Sequence, residues 1–180
     1  MNLYILRHAS AGTRRINPLL DLKRPLDKDG KTHCLHLAYV LTHMKVGFDL
    51  IVSSPLKRAL QTAQLVATET GYETRILTSN ALAPDARFAE FQRMLRECSA
   101  YENLLVVGHN PNLTDFASQL LVPTPQGETT PPRVRLRKGS LARVNIARGS
   151  STLQWLLDPR IVRSLYATST TSSRRKTSRK

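Results

Sequence analysis

Residues 3–6, Leu-Tyr-Ile-Leu, form an apolar run that breaks off at Arg7-His8. Aliphatic and aromatic composition over so short a run marks a strand. A guanidinium and an imidazole where a buried strand meets solvent are costly to desolvate unless something anionic sits there. In open α/β sheets, ligands bind at such carboxyl ends of strands. The pattern repeats. Asp49–Ser53 runs into Ser54-Pro55 and then Arg58, and Leu104–Gly108 runs into His109-Asn110-Pro111. A weaker run, Thr74–Leu77, is followed shortly by Leu82-Ala-Pro-Asp85. Two histidines and two arginines at separate strand ends point to one site for a phosphoryl group.

Amphipathic helices alternate with these strands, which argues for a layered α/β fold. Ser10 to Pro25 reads as a polar, basic loop at the mouth of the site, with Arg14, Arg15, Lys23 and Arg24. Asp27 is the expected N-cap of a helix carrying Leu37, Leu41 and Met44 at helical spacing and closed by Gly47. Ser54-Pro55 should open a second helix, with Leu56, Leu60, Ala63 and Ala67 inward and Gly71 at its end. Phe88, Phe91, Leu95 and Cys98 outline a third, and Asn110-Pro111 starts a fourth with Leu113, Phe116, Ala117 and Leu120 inward. Residues 122–133 are rich in Pro and Thr and read as a loop. Residues 140–147 and 152–157 read as strands, antiparallel across Gly149-Ser150.

A chain of 180 residues suits one domain with a full core. No run of eighteen or more apolar residues is present, so no membrane partner is expected. Met1-Asn2 leads straight into the first strand, and a cytoplasmic protein is expected. Cys34 and Cys98 fit reduced, half-buried residues. The net charge of +14 is unevenly spread: residues 1–132 hold 14 Lys and Arg against 12 Asp and Glu, whereas residues 133–180 hold 13 against one. Clustered cations can mark nucleic-acid binding, but solubility and non-specific attraction account for them more simply, and no nucleic-acid partner is expected. From Thr168 onward the chain is Ser, Thr, Arg and Lys. The domain is therefore drawn at 1–167, with a basic disordered tail at 168–180.

The motifs resemble those of the histidine phosphatase superfamily, the RHG phosphatases. Arg7-His8 is similar to its opening motif, with Ala9 where the family carries Gly. Ser54-Pro-Leu-Lys-Arg58-Ala-Leu-Gln-Thr62-Ala63 is similar to its second arginine segment, and Gly108-His109 to its second histidine. The short chain, Arg24-Pro25-Leu26 followed by Gly30, and Gly108-His109-Asn110-Pro111 look most like the SixA-type phosphohistidine phosphatases. The resemblance covers roughly residues 1 to 122, with a fainter echo at 155–159. It implies a single three-layer α/β domain of phosphoglycerate-mutase type, with a mostly parallel central sheet and helices on both faces.

The resemblance also implies a chemistry. His8 is the expected nucleophile and carrier of a covalent phosphoryl intermediate. Arg7 and Arg58 would stabilise the charge of the phosphoryl group in flight, since a planar guanidinium makes two parallel bonds and stays charged. His109 is a further donor if protonated. Arg24 is a candidate phosphate contact, whereas Arg14 and Arg15 read as solvent-facing. Asp85 is the candidate general acid, its plainer reading being a helix N-cap, and the Glu that larger relatives would lead one to expect is missing. A weak acid suits a phosphoramidate, whose imidazole leaves more readily than an alkoxide. Larger relatives insert a helical cap after the second arginine segment. Only about 15 residues separate Arg58 from Thr74, which leaves an open site suited to a protruding protein side chain. The expected activity is hydrolysis of phosphohistidine on proteins. The rivals are a small-molecule phosphomonoesterase or mutase of the same superfamily, and a non-catalytic phosphate- or nucleic-acid-binding module. No cofactor is expected. His33, His36 and His43 lack a third ligand at metal-site spacing, so no metal site is expected either.

Overall fold

The computed structural model describes residues 1–122, 133–148 and 150–177, the last eight as backbone alone. Its elements, in chain order, are β1 (Asn2–Arg7), α1 (Pro18–Leu22), α2 (Lys28–His43), β2 (Leu50–Ser53), α3 (Lys57–Glu69), β3 (Leu77–Thr78), α4 (Phe88–Glu97), β4 (Asn103–Gly108), α5 (Asn112–Leu120), β5 (Leu141–Ala147), β6 (Ser150–Leu157) and α6 (Pro159–Thr177). They form one sheet in the order β3-β2-β4-β1-β5-β6. The first four strands are mutually parallel where they pair, and β5 and β6 add on antiparallel. This is the mostly parallel, three-layer α/β domain that the sequence implies.

Side-chain alternation along the strands builds the layers. Tyr4 and Leu6 of β1, Ile51 of β2 and Leu105 and Val107 of β4 pack under α2, α3 and Val162 of α6. Leu3, Ile5, Leu50, Val52, Leu104 and Val106 face the other way, onto Phe91 and Leu95 of α4 and Leu113 and Phe116 of α5. With both faces covered, these strands read as continuous apolar runs. Polar groups are therefore confined to the strand ends, with Asn2 and Asn103 at the amino ends and Arg7, Ser53 and the residues that follow at the carboxyl ends.

Asp27 caps α2 as expected, its Oδ1 accepting from the Gly30 amide at 2.7 Å. Its Oδ2 also accepts from the Ser10 hydroxyl and the Gly12 amide, so one carboxylate starts the helix and ties down the loop leaving β1. Several boundaries differ from the sequence reading. Helix α2 ends at His43, with Lys45 in the left-handed region at φ 55°, so Gly47 is not its terminator. Helix α3 starts two residues late, because Ser54 Oγ accepts from the Leu56 amide instead of capping from Ser54 onward. Helix α4 takes Arg87 as N-cap, with the Glu90 carboxylate accepting from the Arg87 amide, so Asp85 is not the cap. Helix α1 lies within the stretch read as loop. Both cysteines are buried rather than half-buried, Cys34 completely.

The C-terminal segment departs from the sequence reading most. Helix α6 packs on α2 through buried Val162 and a stack of Tyr166 on His36 at 3.8 Å between centroids. No Gly or Pro interrupts the chain beyond it, and the helix runs through Thr177, past the boundary at Thr168. The Thr168 and Ser169 hydroxyls donate back to the Ser164 and Leu165 carbonyls. Residues 178–180, the Pro- and Thr-rich loop over most of its length, and Gly149 of the expected hairpin turn lie outside the described residues. β5 and β6 pair antiparallel on either side of Gly149, as the sequence implied.

Gly30 shows how tightly the β1 exit loop is pressed on α2: a Cβ there would fall 2.0 Å from the Ser10 carbonyl oxygen, a backbone atom. Gly30→Ala should therefore displace the loop that follows His8, at a cost of about 1–3 kcal/mol by analogy with overpacked cores. Urea unfolding of the variant checks this. An unchanged midpoint would mean that the loop yields freely.

Candidate active site

The pairing register assembles the site. Arg7 stands opposite Gly108 across β1 and β4, and Ser53 opposite Val107 across β2 and β4. The residues just beyond, His8, His109 and Ser54, are therefore neighbours. The His8 amide donates to the Gly108 carbonyl at 3.0 Å, and the two imidazole centroids lie 5.0 Å apart. From the β5 side, the Gly139 amide donates to the Arg7 and His8 carbonyls. From α3, Thr62 Oγ1 accepts from the Ala9 amide and donates to the Arg58 carbonyl, tying the second arginine to the end of β1.

His8 Nδ1 lies 2.7 Å from the Ala9 carbonyl. Only a protonated Nδ1 can donate to it, so Nε2 carries the lone pair. Burial, with smaller contributions from Arg58, Arg7 and Lys138, pushes the His8 pKa down to about 3. The ring is neutral at physiological pH, as a nucleophile must be. Burial, then His8, Arg58 and Arg7, pushes His109 down to about 2, so it is neutral in the ligand-free site rather than a protonated donor. Its Nε2 lies 2.9 Å from Ser54 Oγ. Ser54 Oγ also accepts from the Leu56 amide, and in the tautomer in which its hydroxyl donates to Nε2 the proton of neutral His109 sits on Nδ1.

His8 and His109 line an open cavity of about 840 Å³, which also receives Arg7, Arg14, Arg15, Asp21, Arg24, Arg58 and Lys138. Four of its wall residues carry buried polar atoms without a protein partner: Arg7 Nε, Arg58 Nε, His109 Nδ1 and Asn110 Oδ1. Each unmatched buried group costs about 1–3 kcal/mol. Three of the four are potential donors on residues that line one cavity, a composition suited to an anion.

The remaining groups divide sharply. Arg24 reaches the cavity wall, but its Nε binds the Asp21 carboxylate at 2.9 Å and its Nη1 the Ala11 and Gly12 carbonyls, so it fastens the loop. Arg58 Nη1 donates to the Asp21 carbonyl at 2.9 Å. Asp85 is exposed and lines a separate cavity with Asn80, Arg87 and Glu90, whereas its neighbour Pro84 lines the cavity that holds His8. Among the described residues, the one carboxylate in the cavity wall is Asp21. Burial raises its pKa, but hydrogen bonds from the Arg15 amide and Arg24 outweigh this and hold it below the usual range, so it stays ionised. Sequence reasoning missed Asp21, Asn110 and Lys138, because their relevance arises from contacts with distant segments.

The fold and motifs have counterparts. The family model of the histidine phosphatase superfamily (branch 1) matches residues 3–84, which include Arg7, His8 and Arg58. An uncharacterized protein of Picosynechococcus sp. is 34% identical over 123 residues, spanning 67% of this chain and 73% of that protein. The chain belongs to the histidine phosphatase superfamily. A structure of the protein histidine phosphatase SixA complexed with tungstate superposes with a TM-score of 0.76 at 25% identity, over 88% of this chain and 97% of that one. The α-ribazole phosphatase of Shigella flexneri shares the fold, with a TM-score of 0.68 at 19% identity over 88% and 97% of the two chains. Membership supports a phosphatase activity. Among the described residues no helix is long and apolar enough to cross a membrane.

The depressed imidazole pKa values have a consequence for stability. In the unfolded chain His8 and His109 take up protons near 6.5; in the folded chain they do so only near 3 and 2. Unfolding thus binds protons below pH 6.5, and stability present above that value is lost as pH falls toward the folded values. His33 and His36, also depressed, act in the same direction. In phosphate-free buffer, denaturant unfolding should show a steeper loss from pH 7 to 5 for the wild type than for a His8→Gln/His109→Gln variant. Parallel pH profiles would show that these rings titrate normally.

Proposed function

We propose that the protein is a phosphohistidine phosphatase acting on proteins, through a covalent phosphoryl intermediate on His8. The observation that carries the reading is the hydrogen bond from His8 Nδ1 to the Ala9 carbonyl, which leaves a neutral Nε2 in a cavity lined by Arg7, Arg58 and His109. The Nε2 lone pair attacks phosphorus while the substrate P–N bond breaks, and the departing imidazole keeps the bonding pair and takes a proton from solvent. Arg7, Arg58 and the Nδ1–H of His109 hold the equatorial oxygens as charge develops, the largest single contribution in such reactions. Water then attacks the phosphoryl group on His8, the P–Nε2 bond breaks, and inorganic phosphate leaves a neutral His8 behind.

Two features favour a phosphoramidate on a protein over an alkyl phosphate. The cavity wall offers no carboxyl group that could act as an acid, since Asp21 stays ionised and Asp85 lies elsewhere. An alkoxide needs a proton as it leaves, and an imidazole needs far less help. In addition, only seven residues join α3 to β3, so no cap closes over the cavity from that side. The likeness to SixA supports the same reading, and the intact set Arg7, His8, Arg58 and His109 speaks against a non-catalytic binding module.

The test compares kcat/KM on a phosphohistidine protein, a phosphoserine peptide and sugar phosphates. The phosphohistidine protein should be preferred by about a hundredfold or more, the equivalent of one charged donor in the transition state. Preference for a sugar phosphate would establish the small-molecule reading instead. Asp85→Asn should leave turnover of phosphohistidine and of an alkyl phosphate equally unchanged. A loss confined to the alkyl phosphate would restore Asp85 as its general acid.

A further inference from the structure

Helix α1 walls the mouth of the cavity and is fastened by polar groups alone. Asn17 caps it by accepting from the Leu19 amide, and the Asp21 carboxylate meets the Arg15 amide and the Arg24 and Arg58 guanidinium groups. None of its residues is buried. Four large aliphatic side chains nonetheless crowd into seven positions and turn outward: Ile16 fully exposed, Leu19 at 70%, Leu20 at 58% and Leu22 at 48%. Other exposed large apolar side chains among the described residues are scattered singly or in pairs. So dense a run of exposed aliphatic side chains is what an interaction site presents.

The patch is continuous with the reaction site, because Ile16, Pro18 and Leu22 line the same cavity as His8. Exposed Arg14, Arg15 and Lys23 flank it, and exposed Lys138 stands elsewhere on the cavity rim. We propose that α1 is the docking surface for the protein that carries the phosphoryl group. The partner seats an apolar surface bordered by carboxylates on residues 16–23 while its phosphorylated side chain reaches His8 Nε2. The proposal rests on the reading of the protein as a phosphatase of proteins and names how that substrate is recognised.

Charge selects this occupant. A second copy of the chain, paired symmetrically, would set Arg14, Arg15 and Lys23 against themselves on a protein of net charge +14. An anionic membrane lying on α1 would cover the cavity mouth and keep protein substrates from His8. An acidic and apolar protein surface satisfies both the leucines and the cations and leaves the phosphoryl group pointing inward.

The test uses two synthetic phosphohistidine peptides of equal length, one flanked by Leu and Glu and one by Gly and Ser, together with p-nitrophenyl phosphate. The wild type should favour the Leu/Glu peptide by about tenfold in kcat/KM, mostly through KM, the equivalent of a modest hydrophobic and ionic contact. Leu19→Ser/Leu20→Ser should abolish that preference with turnover of p-nitrophenyl phosphate unchanged. Both side chains are exposed, so the fold should persist, and an unchanged thermal midpoint confirms it. Lys23→Glu should lower kcat/KM for the Leu/Glu peptide several-fold at low ionic strength and leave the Gly/Ser peptide unaffected.

Equal turnover of the two peptides by the wild type, or a preference that survives the double substitution, would overturn the docking surface. So would self-association, or binding to phosphatidylglycerol vesicles, that the double substitution removes while the peptides remain undistinguished. If neither peptide is hydrolysed while p-nitrophenyl phosphate is, the phosphohistidine reading itself fails and the docking surface with it.

Discussion

The register of β1 against β4 is the constraint on which the site depends. Pairing Arg7 with Gly108 places His8 and His109 side by side, and the parallel pairing of β2 with β4 brings Ser54 beneath His109. A slip of one residue would send every side chain of β1 to the opposite face. Tyr4 and Leu6 would leave one core, and Leu3 and Ile5 the other. The two hydrophobic layers therefore enforce the register, and the register in turn sets the distance between the imidazoles. Stability and site geometry are fixed by the same packing.

The packing also sets the electrostatics. Two imidazoles and two guanidinium groups share one end of the sheet, and burial disfavours charge on each of them. The histidines respond by staying neutral, which is affordable for a group that titrates near neutrality. The arginines cannot, and are held by carbonyls: Arg7 by Leu136, Arg58 by Asp21. A bound dianion would relieve this arrangement, supplying acceptors to the unmatched donors and favouring a proton on His109.

Much of this was legible in the sequence because the informative residues sit where an apolar run stops. The runs before His8, Ser54 and His109 are short and buried, and their ends could be read directly. Asp27 and Gly71 were equally readable, since capping and left-handed termination are local. What escaped depended on contacts across the chain. Helix α1 has no buried residue, hence no apolar face turned inward to reveal it, and it is fixed by Asp21 reaching Arg58 37 positions away. Asp85 follows the third strand closely, but the chain turns there, and Pro84 rather than Asp85 lines the cavity. Helix α6 is anchored by Val162 and Tyr166 against α2, and local composition beyond Thr168 does not report that support.

The most direct measurement is the chemistry of a trapped phosphoenzyme. Rapid acid-free quenching during turnover, followed by mass spectrometry of proteolytic fragments, should place one phosphoryl group on His8, stable in alkali and lost in acid as a phosphoramidate is. His8→Ala should form no adduct and no product while keeping its fold. An acid-stable adduct, a phosphoryl group on another residue, or undiminished turnover by His8→Ala would contradict the account.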